Sequence, residues 1–206
     1  MQLNGYDTGA GVITPESWEE YVDRRAQEVG VAAGDTVFEI GCGAGAFLWV
    51  LHKKGFAVGG IDYSRSLIAA AREAMTDGTW RVGEAGEKIG TLKYDAVIAN
   101  SVFHYFPDKE YAKHVLGTML TAARQAVGIF DVPDERVSQL AREHRREILG
   151  KEEYDRRYRG LEHLAFDPQW FTDVSGPGWE VTHKSQDIEN YGNNQYRFNI
   201  VMKRRP

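Results

Sequence analysis

The chain reads as an α/β fold, a doubly wound parallel sheet with helices on both faces. Three observations predict it. Short apolar runs alternate with segments of helical periodicity from residue 14 to residue 132. A glycine-rich turn follows the first apolar run, and an acidic residue, Asp62, closes the second. A crossover that holds a helix returns the chain in the same direction and with right-handed sense, so the strands pair in parallel.

The elements follow in order. Thr14-Pro15 opens the first helix, with threonine as cap and proline at a position whose N–H needs no partner. Trp18, Tyr21, Val22 and Val29 then share a face, and Gly30 closes the helix. Residues 36–40 form a buried strand, 41–45 a glycine-rich turn, and 46–54 a helix stopped by Gly55. Residues 57–61 form a second strand ending in Asp62, and Ser64 caps a helix over 65–75. A third strand covers 79–82, a weakly patterned link 83–93, and a fourth strand 94–99. The fourth helix spans 108–125 with Tyr111, Val115, Met119 and Ala122 inward, and the fifth strand 126–132. The pattern then changes. Residues 133–158 read as a helical insert, Asp167-Pro168 starts another helix, and 179–188 and 196–203 are two strands with no helix between them. Turn residues in 189–195 suit an antiparallel hairpin.

A length of 206 residues fits one domain over 1–206, with the insert at about 133–160 forming part of a lid. The 42% hydrophobic and 27% charged fractions are those of an ordinary globular protein. No apolar run approaches the ~18 residues of a membrane span. The first 14 residues lack the basic start and apolar core of a secretory signal. One cysteine, Cys42, excludes an internal disulfide framework and a multi-cysteine zinc site, and no metal is expected. A cytoplasmic protein, monomer or homodimer, is the economical reading. The net charge of −5 disfavours an electrostatic nucleic-acid binder. Between residues 135 and 159 eight Lys and Arg residues interleave with acids. That pattern describes a solvated, salt-bridged helix face; the sharper alternative is that one or two of these arginines grip an anionic substrate.

Ligands of open parallel sheets bind beyond the carboxyl ends of the strands, where strand order reverses. There Gly41 and Gly43 let the backbone pass close to a ligand, and the next helix offers its free N–H groups to a carboxylate. Asp62 can accept hydrogen bonds from two ribose hydroxyls. Gly41, Gly43 and Ala46 also satisfy the GxGxxA variant of the dinucleotide fingerprint, with an acid about 20 residues on. A nicotinamide-dependent oxidoreductase is thus one reading. Glu39 inside the first strand, the lack of chain for a second domain, and the two closing strands count against it.

With Glu39-Ile40-Gly41-Cys42-Gly43-Ala44-Gly45, Gly60-Ile61-Asp62-Tyr63-Ser64, Gly83-Glu84-Ala85 and the run from Tyr94-Asp95-Ala96-Val97 through Asn100-Ser101-Val102-Phe103-His104 in order, the sequence resembles the class I S-adenosylmethionine-dependent methyltransferases. The resemblance covers roughly residues 35–132 and, more loosely, 160–206. It implies a seven-stranded Rossmann-like sheet of order 3-2-1-4-5-7-6 with the last hairpin antiparallel. It implies S-adenosylmethionine as cofactor and S-adenosylhomocysteine as product. The cofactor-binding residues it implies are Glu39, Gly41, Cys42, Gly43, Gly45, Asp62, Tyr63, Glu84, Ala85 and Asn100, with Trp18 and Tyr21 of the covering first helix. Glutamate at position 84 replaces the family's aspartate.

The family chemistry is in-line displacement at the sulfonium methyl. Asn100-Ser101-Val102-Phe103 is not the Asn/Asp-Pro-Pro-aromatic element used on amino groups of adenine or glutamine, and Cys42 leaves no spare thiol for pyrimidine C5 methylation. The expected acceptor is an oxygen or nitrogen of a small metabolite, a sugar or a natural-product intermediate. His104, after the fourth strand, and His163 are the candidate general bases, since an unperturbed pKa of about 6.5 suits proton transfer; either could instead be structural. Tyr6, Tyr105, Tyr154, Tyr158 and Tyr191 lie in segments expected to surround the acceptor. Arg197 and Asn199 face one side of the last strand and receive no role. A module that binds the cofactor without catalysis is the remaining alternative.

Overall fold

The computed structural model describes residues 13–91, 93–158 and 163–206, without the side chains of residues 157 and 158. Tyr6 and the side chain of Tyr158, both named above, therefore lie outside the described residues.

The elements are α1 (Pro15–Val29), β1 (Thr36–Ile40), α2 (Ala46–Lys53), β2 (Ala57–Asp62), α3 (Arg65–Ala74), β3 (Thr79–Val82), β4 (Tyr94–Asn100), α4 (Lys109–Ala122), β5 (Ala123–Pro133), α5 (Ser138–Leu149), α6 (Lys151–Tyr158), α7 (Pro168–Ser175), β6 (Trp179–Ser185) and β7 (Arg197–Arg204). Their ends follow local chemistry. Thr14 caps α1 by accepting from the Ser17 N–H, and Gly30 stops it in the left-handed region at φ 88°. Ser64, Asp108 and Asp167 cap α3, α4 and α7 in the same way.

The seven strands form one sheet in the order β3-β2-β1-β4-β5-β7-β6. The first five pair in parallel, and β7 runs antiparallel to both of its neighbours. This is the predicted sheet, terminal hairpin included. Successive side chains of a strand point to opposite faces, and both faces are buried. Phe38, Ile40, Val97, Val127 and Ile200 pack beneath α4 and α7. Val37, Ile98, Phe130 and Val201 pack with Tyr21, Leu48 and Ile68 of α1, α2 and α3. Each such fully buried side chain contributes about 1.5–3 kcal/mol.

Two boundaries differ from the expectation by more than one residue, and both for tertiary reasons. The helical pattern over 108–125 stops at Ala122, and β5 starts at Ala123. Arg124 grips the Asp95 carboxylate through Nε and Nη2, at 3.1 and 3.0 Å, and thereby fixes the chain beside β4. The strand expected over 179–188 ends at Ser185, because Gln186 turns inward and donates to Asp131 Oδ1 at 3.0 Å. Among the described residues no helix is long and apolar enough to cross a membrane.

Candidate active site

The site starts at the switch point between β1 and β4, whose crossovers leave in opposite directions. Gly41 and Gly43 take φ of 67° and 54°, a region that costs other residues strain. A Cβ on Gly41 would lie 2.6 Å from Val102 Cγ2, so the turn passes directly beneath the end of β4. The turn is bolted to β2: the N–H groups of Gly41 and Cys42 both donate to Ile61 O, at 2.8 and 3.1 Å, and that of Gly43 to Asp62 Oδ2 at 2.9 Å. The first N–H groups of α2 have no acceptor within the helix and open on the same edge. The Cys42 side chain turns away, towards Gly60. Burial, then the charges of Glu39 and Asp62, push its thiol far up from the ordinary range, so only its backbone belongs to the site.

Asp62 ends β2 almost buried, at 8% exposure. Its Oδ1 accepts from the Ser64 N–H at 2.8 Å and its Oδ2 from Gly43, which leaves one lone pair on each oxygen for a ligand. Tyr63, next in the chain, is 76% exposed, and Leu67 and Val82 are also exposed, an apolar margin beside the carboxylate. The loop after β3 is held against Asp62, whose carbonyl accepts from the Gly83 N–H at 3.0 Å. Glu84 uses its N–H on Glu87 Oε1 and keeps its side chain exposed, while Ala85 packs on the core.

Glu39 lies one step earlier on β1, buried, and its Oε2 has no hydrogen-bond partner among the described residues. Burial, then the Asp62 charge, hold its pKa well above the usual carboxylate range. A carboxyl that keeps its proton longer when folded contributes stability that is lost as pH rises from the ordinary value of about 4.5 towards the folded one. Glu39→Gln is expected to remove that slope and raise Tm at neutral pH by about 2–4 °C, the equivalent of 1 kcal/mol in a chain of this size. Calorimetric melts across pH check this; a lower Tm at every pH would show that the carboxylate is needed where it stands.

The first helix covers the turn. Trp18 Nε1 donates to Ala46 O at 3.2 Å, and its ring meets those of Tyr21 and Phe47 at 5.5 and 6.2 Å. Tyr21 is fully buried, and its hydroxyl donates to Asn100 Oδ1 at 3.2 Å. Trp18, Tyr21, Asn100 and the glycine turn are thus brought together, with Tyr21 as a core residue and Asn100 partly buried at the end of β4.

His104 sits in a short 3₁₀ turn, Phe103–Tyr105, after β4. It is buried, and its Nδ1 has no hydrogen-bond partner among the described residues. Its carbonyl accepts from the Leu164 N–H at 3.0 Å, which draws the segment before α7 across it and places the His163 ring 5.1 Å from its own. Burial first, then Arg197, His163 and Arg145, hold the His104 pKa well below the ordinary histidine value. Burial, then Arg197 and Arg145, also lower that of His163. Both environments favour the neutral imidazole, and His104 is the weaker base for it. Beside them opens a cavity of about 840 Å³, roofed by α5 and α6 and lined among others by Arg145, Tyr154, His163 and Arg197. Tyr105 stands exposed beside His163.

Sequence reasoning missed the group that braces this corner. Asp131 is buried at the end of β5, with φ of 58°, where the β5–β7 register shifts. Its carboxylate accepts from Ser101 Oγ (2.7 Å), Arg197 Nη1 (2.8 Å), Gln186 Nε2 (3.0 Å) and Tyr191 OH (3.5 Å), and its N–H donates to Asn199 Oδ1 (2.9 Å). Arg197 and Asn199, given no role above, are its partners. Tyr191, expected near the acceptor, is buried in this group. A signal did exist: one acid inside the apolar run Gly128-Ile129-Phe130-Asp131-Val132, and two polar residues alternating with Phe198 and Ile200.

Residues 38–126 match the family model of a methyltransferase domain. That stretch is similar to a methyltransferase domain, and the sheet order is that of the solved methyltransferases it resembles in fold. The chain is 26% identical, over 92% of its length, to a probable non-canonical nonribosomal peptide synthetase, CymA, of Salinispora arenicola, and spans only 3% of that protein. In fold it is similar to the N-methyltransferase NodS of Bradyrhizobium japonicum, with a TM-score of 0.66 at 13% identity, covering 95% of this chain and 100% of that one. It is also similar to the magnesium protoporphyrin IX methyltransferase of Synechocystis solved with S-adenosylmethionine, with a TM-score of 0.61 at 14% identity, covering 92% and 79%. The stretch matched by the family model holds the glycine turn, Asp62, Glu84, Asn100 and His104. His163, Arg197 and the helical insert lie beyond it.

Proposed function

We propose that this chain binds S-adenosylmethionine across the carboxyl ends of β1, β2 and β4 and transfers its methyl group to an oxygen or nitrogen of a small molecule seated in the cavity under the insert. The observation that carries the reading is the Asp62 carboxylate: locked to the glycine turn by Gly43, it keeps a lone pair on each oxygen at the switch point.

The residues present fit the cofactor. Asp62 suits two ribose hydroxyls, and the exposed Tyr63, Leu67 and Val82 suit the apolar face of adenine, with Glu84 and Ala85 at its edge. The turn from Gly41 to Gly45 and the N–H groups opening α2 suit a carboxylate. Glu39, a buried carboxyl with an unpartnered oxygen, suits a cationic group that would ionise it. Trp18 and Asn100 close the two sides. When bound, the cofactor supplies a methyl group on a good leaving group. What remains for the chain is alignment and exclusion of water, and alignment is worth up to ~7–11 kcal/mol. His104, neutral and buried behind His163, holds the segment before α7 at the cavity rather than stripping a proton from an alcohol. The insert, α5 with α6, serves as the lid.

Calorimetric titration with S-adenosylmethionine, S-adenosylhomocysteine and NAD tests the reading. Micromolar binding of the first two and none of NAD is expected. Binding of NAD alone would transfer the turn to a nicotinamide enzyme. Cofactor binding with no methyl transfer to any acceptor would leave a binding module.

A further inference from the structure

Four side chains from four separate segments converge where the insert meets the sheet: Arg145 of α5, Arg197 of β7, His163 before α7 and His104 after β4. Both guanidiniums act on both imidazoles, and His163 stands between His104 and the cavity wall that it shares with Arg145 and Arg197. We infer that this corner is a carboxylate-binding site, and that the small molecule methylated here is an acid whose carboxylate is held by Arg145 and Arg197 beside His163. The inference rests on the methyltransferase reading of the neighbouring turn and names the acceptor's class.

Three observations carry it. The first is charge. The acids of the cavity wall are taken up by cations, Asp134 by Arg136 at 2.7 Å, Glu135 by Lys109 at 2.9 Å and Asp155 by Arg146 at 3.7 Å. Arg142 and Arg145 line the same wall, whose described residues include four Lys and Arg against three acids. The second is rigidity. Arg197 Nη1 is fixed on Asp131, to its carbonyl at 2.9 Å and its carboxylate at 2.8 Å, which holds the planar guanidinium at the wall in advance of any ligand. A preset guanidinium loses little freedom on binding and matches the planar carboxylate. The third is the unpartnered Nδ1 of His104, a buried polar atom in the corner where two cations already stand. A bound anion at this wall would meet both guanidiniums beside the neutral imidazole of His163. Guanidiniums pair with phosphate as well as with carboxylate, so a phosphate probe is needed to tell the two anions apart.

The test uses the whole chain saturated with S-adenosylhomocysteine and three probes of matched shape: 4-phenylbutyrate, its neutral amide and phenyl phosphate. Calorimetry is expected to show the carboxylate binding about tenfold or more tightly than the amide. Arg145→Gln, on the partly exposed α5, is expected to weaken the carboxylate about tenfold and to leave the amide unchanged. In proton NMR the carboxylate should raise the titration midpoint of the His163 ring, which the amide should not move. Equal affinity for carboxylate and amide, tighter binding of the phosphate, an Arg145→Gln variant that binds the carboxylate as before, or an unmoved His163 would each overturn the assignment. Arg142→Gln repeats the test if Arg145→Gln does not fold. S-adenosylhomocysteine affinity is read separately in every variant, so a failure of the cofactor site is seen as that and not as a failure of this corner.

Discussion

Asp131→Ala is expected to lower the unfolding free energy by about 3–5 kcal/mol, the range seen when one partner of a buried ion pair is removed. Few single changes to this chain should do more damage. The carboxylate is fully buried and Arg197 nearly so, with side-chain exposures of 0% and 12%. Removing it strands the guanidinium against low-dielectric surroundings and takes the acceptor from Ser101, Gln186 and Tyr191 together. Alanine also tolerates the left-handed backbone at φ 58° less well than aspartate. A fall in Tm of roughly 10 °C should follow, with the midpoint of urea unfolding lowered in step. Asp131→Asn separates the contributions, since it keeps the shape and tolerates the backbone but removes the charge, and it should fall between the two. Pairing Asp131→Ala with Arg197→Met should restore part of the loss, because the stranded charge goes too. A loss under ~1 kcal/mol for Asp131→Ala would mean that water reaches the group and that the corner is not preset by it.

That group also marks the boundary between what the sequence tells and what it withholds. The helix caps, the positive-φ glycines and Asp62 were legible because each answers a local demand, an orphan N–H at a helix start or a backbone that no β-carbon could follow. The terminal hairpin was legible from its turn residues, and the sheet order through the family resemblance that the motifs carry. The ends of α4 and β6 were not, because Arg124 and Gln186 are set by partners on other strands, Asp95 and Asp131. His104 and His163 could each be picked out alone. Their meeting depends on the Leu164 N–H reaching the His104 carbonyl, a contact without a periodic signature. Arg197, 66 residues from Asp131, received no role from the sequence and is a largely buried charge held by that carboxylate. Tyr191 failed for the same reason, its aromatic type suggesting a pocket wall where its hydroxyl serves the core.

Asp62→Ala is expected to weaken S-adenosylhomocysteine by about 2–3 kcal/mol, some 30- to 150-fold, as the loss of charge-assisted hydrogen bonds to a ligand would. The carboxylate has a second task, because it accepts from the N–H groups of Gly43 and Ser64. A weaker ligand could therefore report either missing ribose contacts or a loosened turn. An analogue of S-adenosylhomocysteine without its two ribose hydroxyls separates them in a thermodynamic cycle. If Asp62 meets the ribose, the analogue binds the unaltered protein weakly and the Asp62→Ala protein equally weakly, and the two losses are not additive. If Asp62 only fastens the turn, the losses add, and the melting temperature of the ligand-free variant falls in proportion to its lost affinity. Additive losses would move the ribose to some other acceptor on this edge and leave Asp62 as the bolt that gives the Gly41–Gly45 backbone its shape.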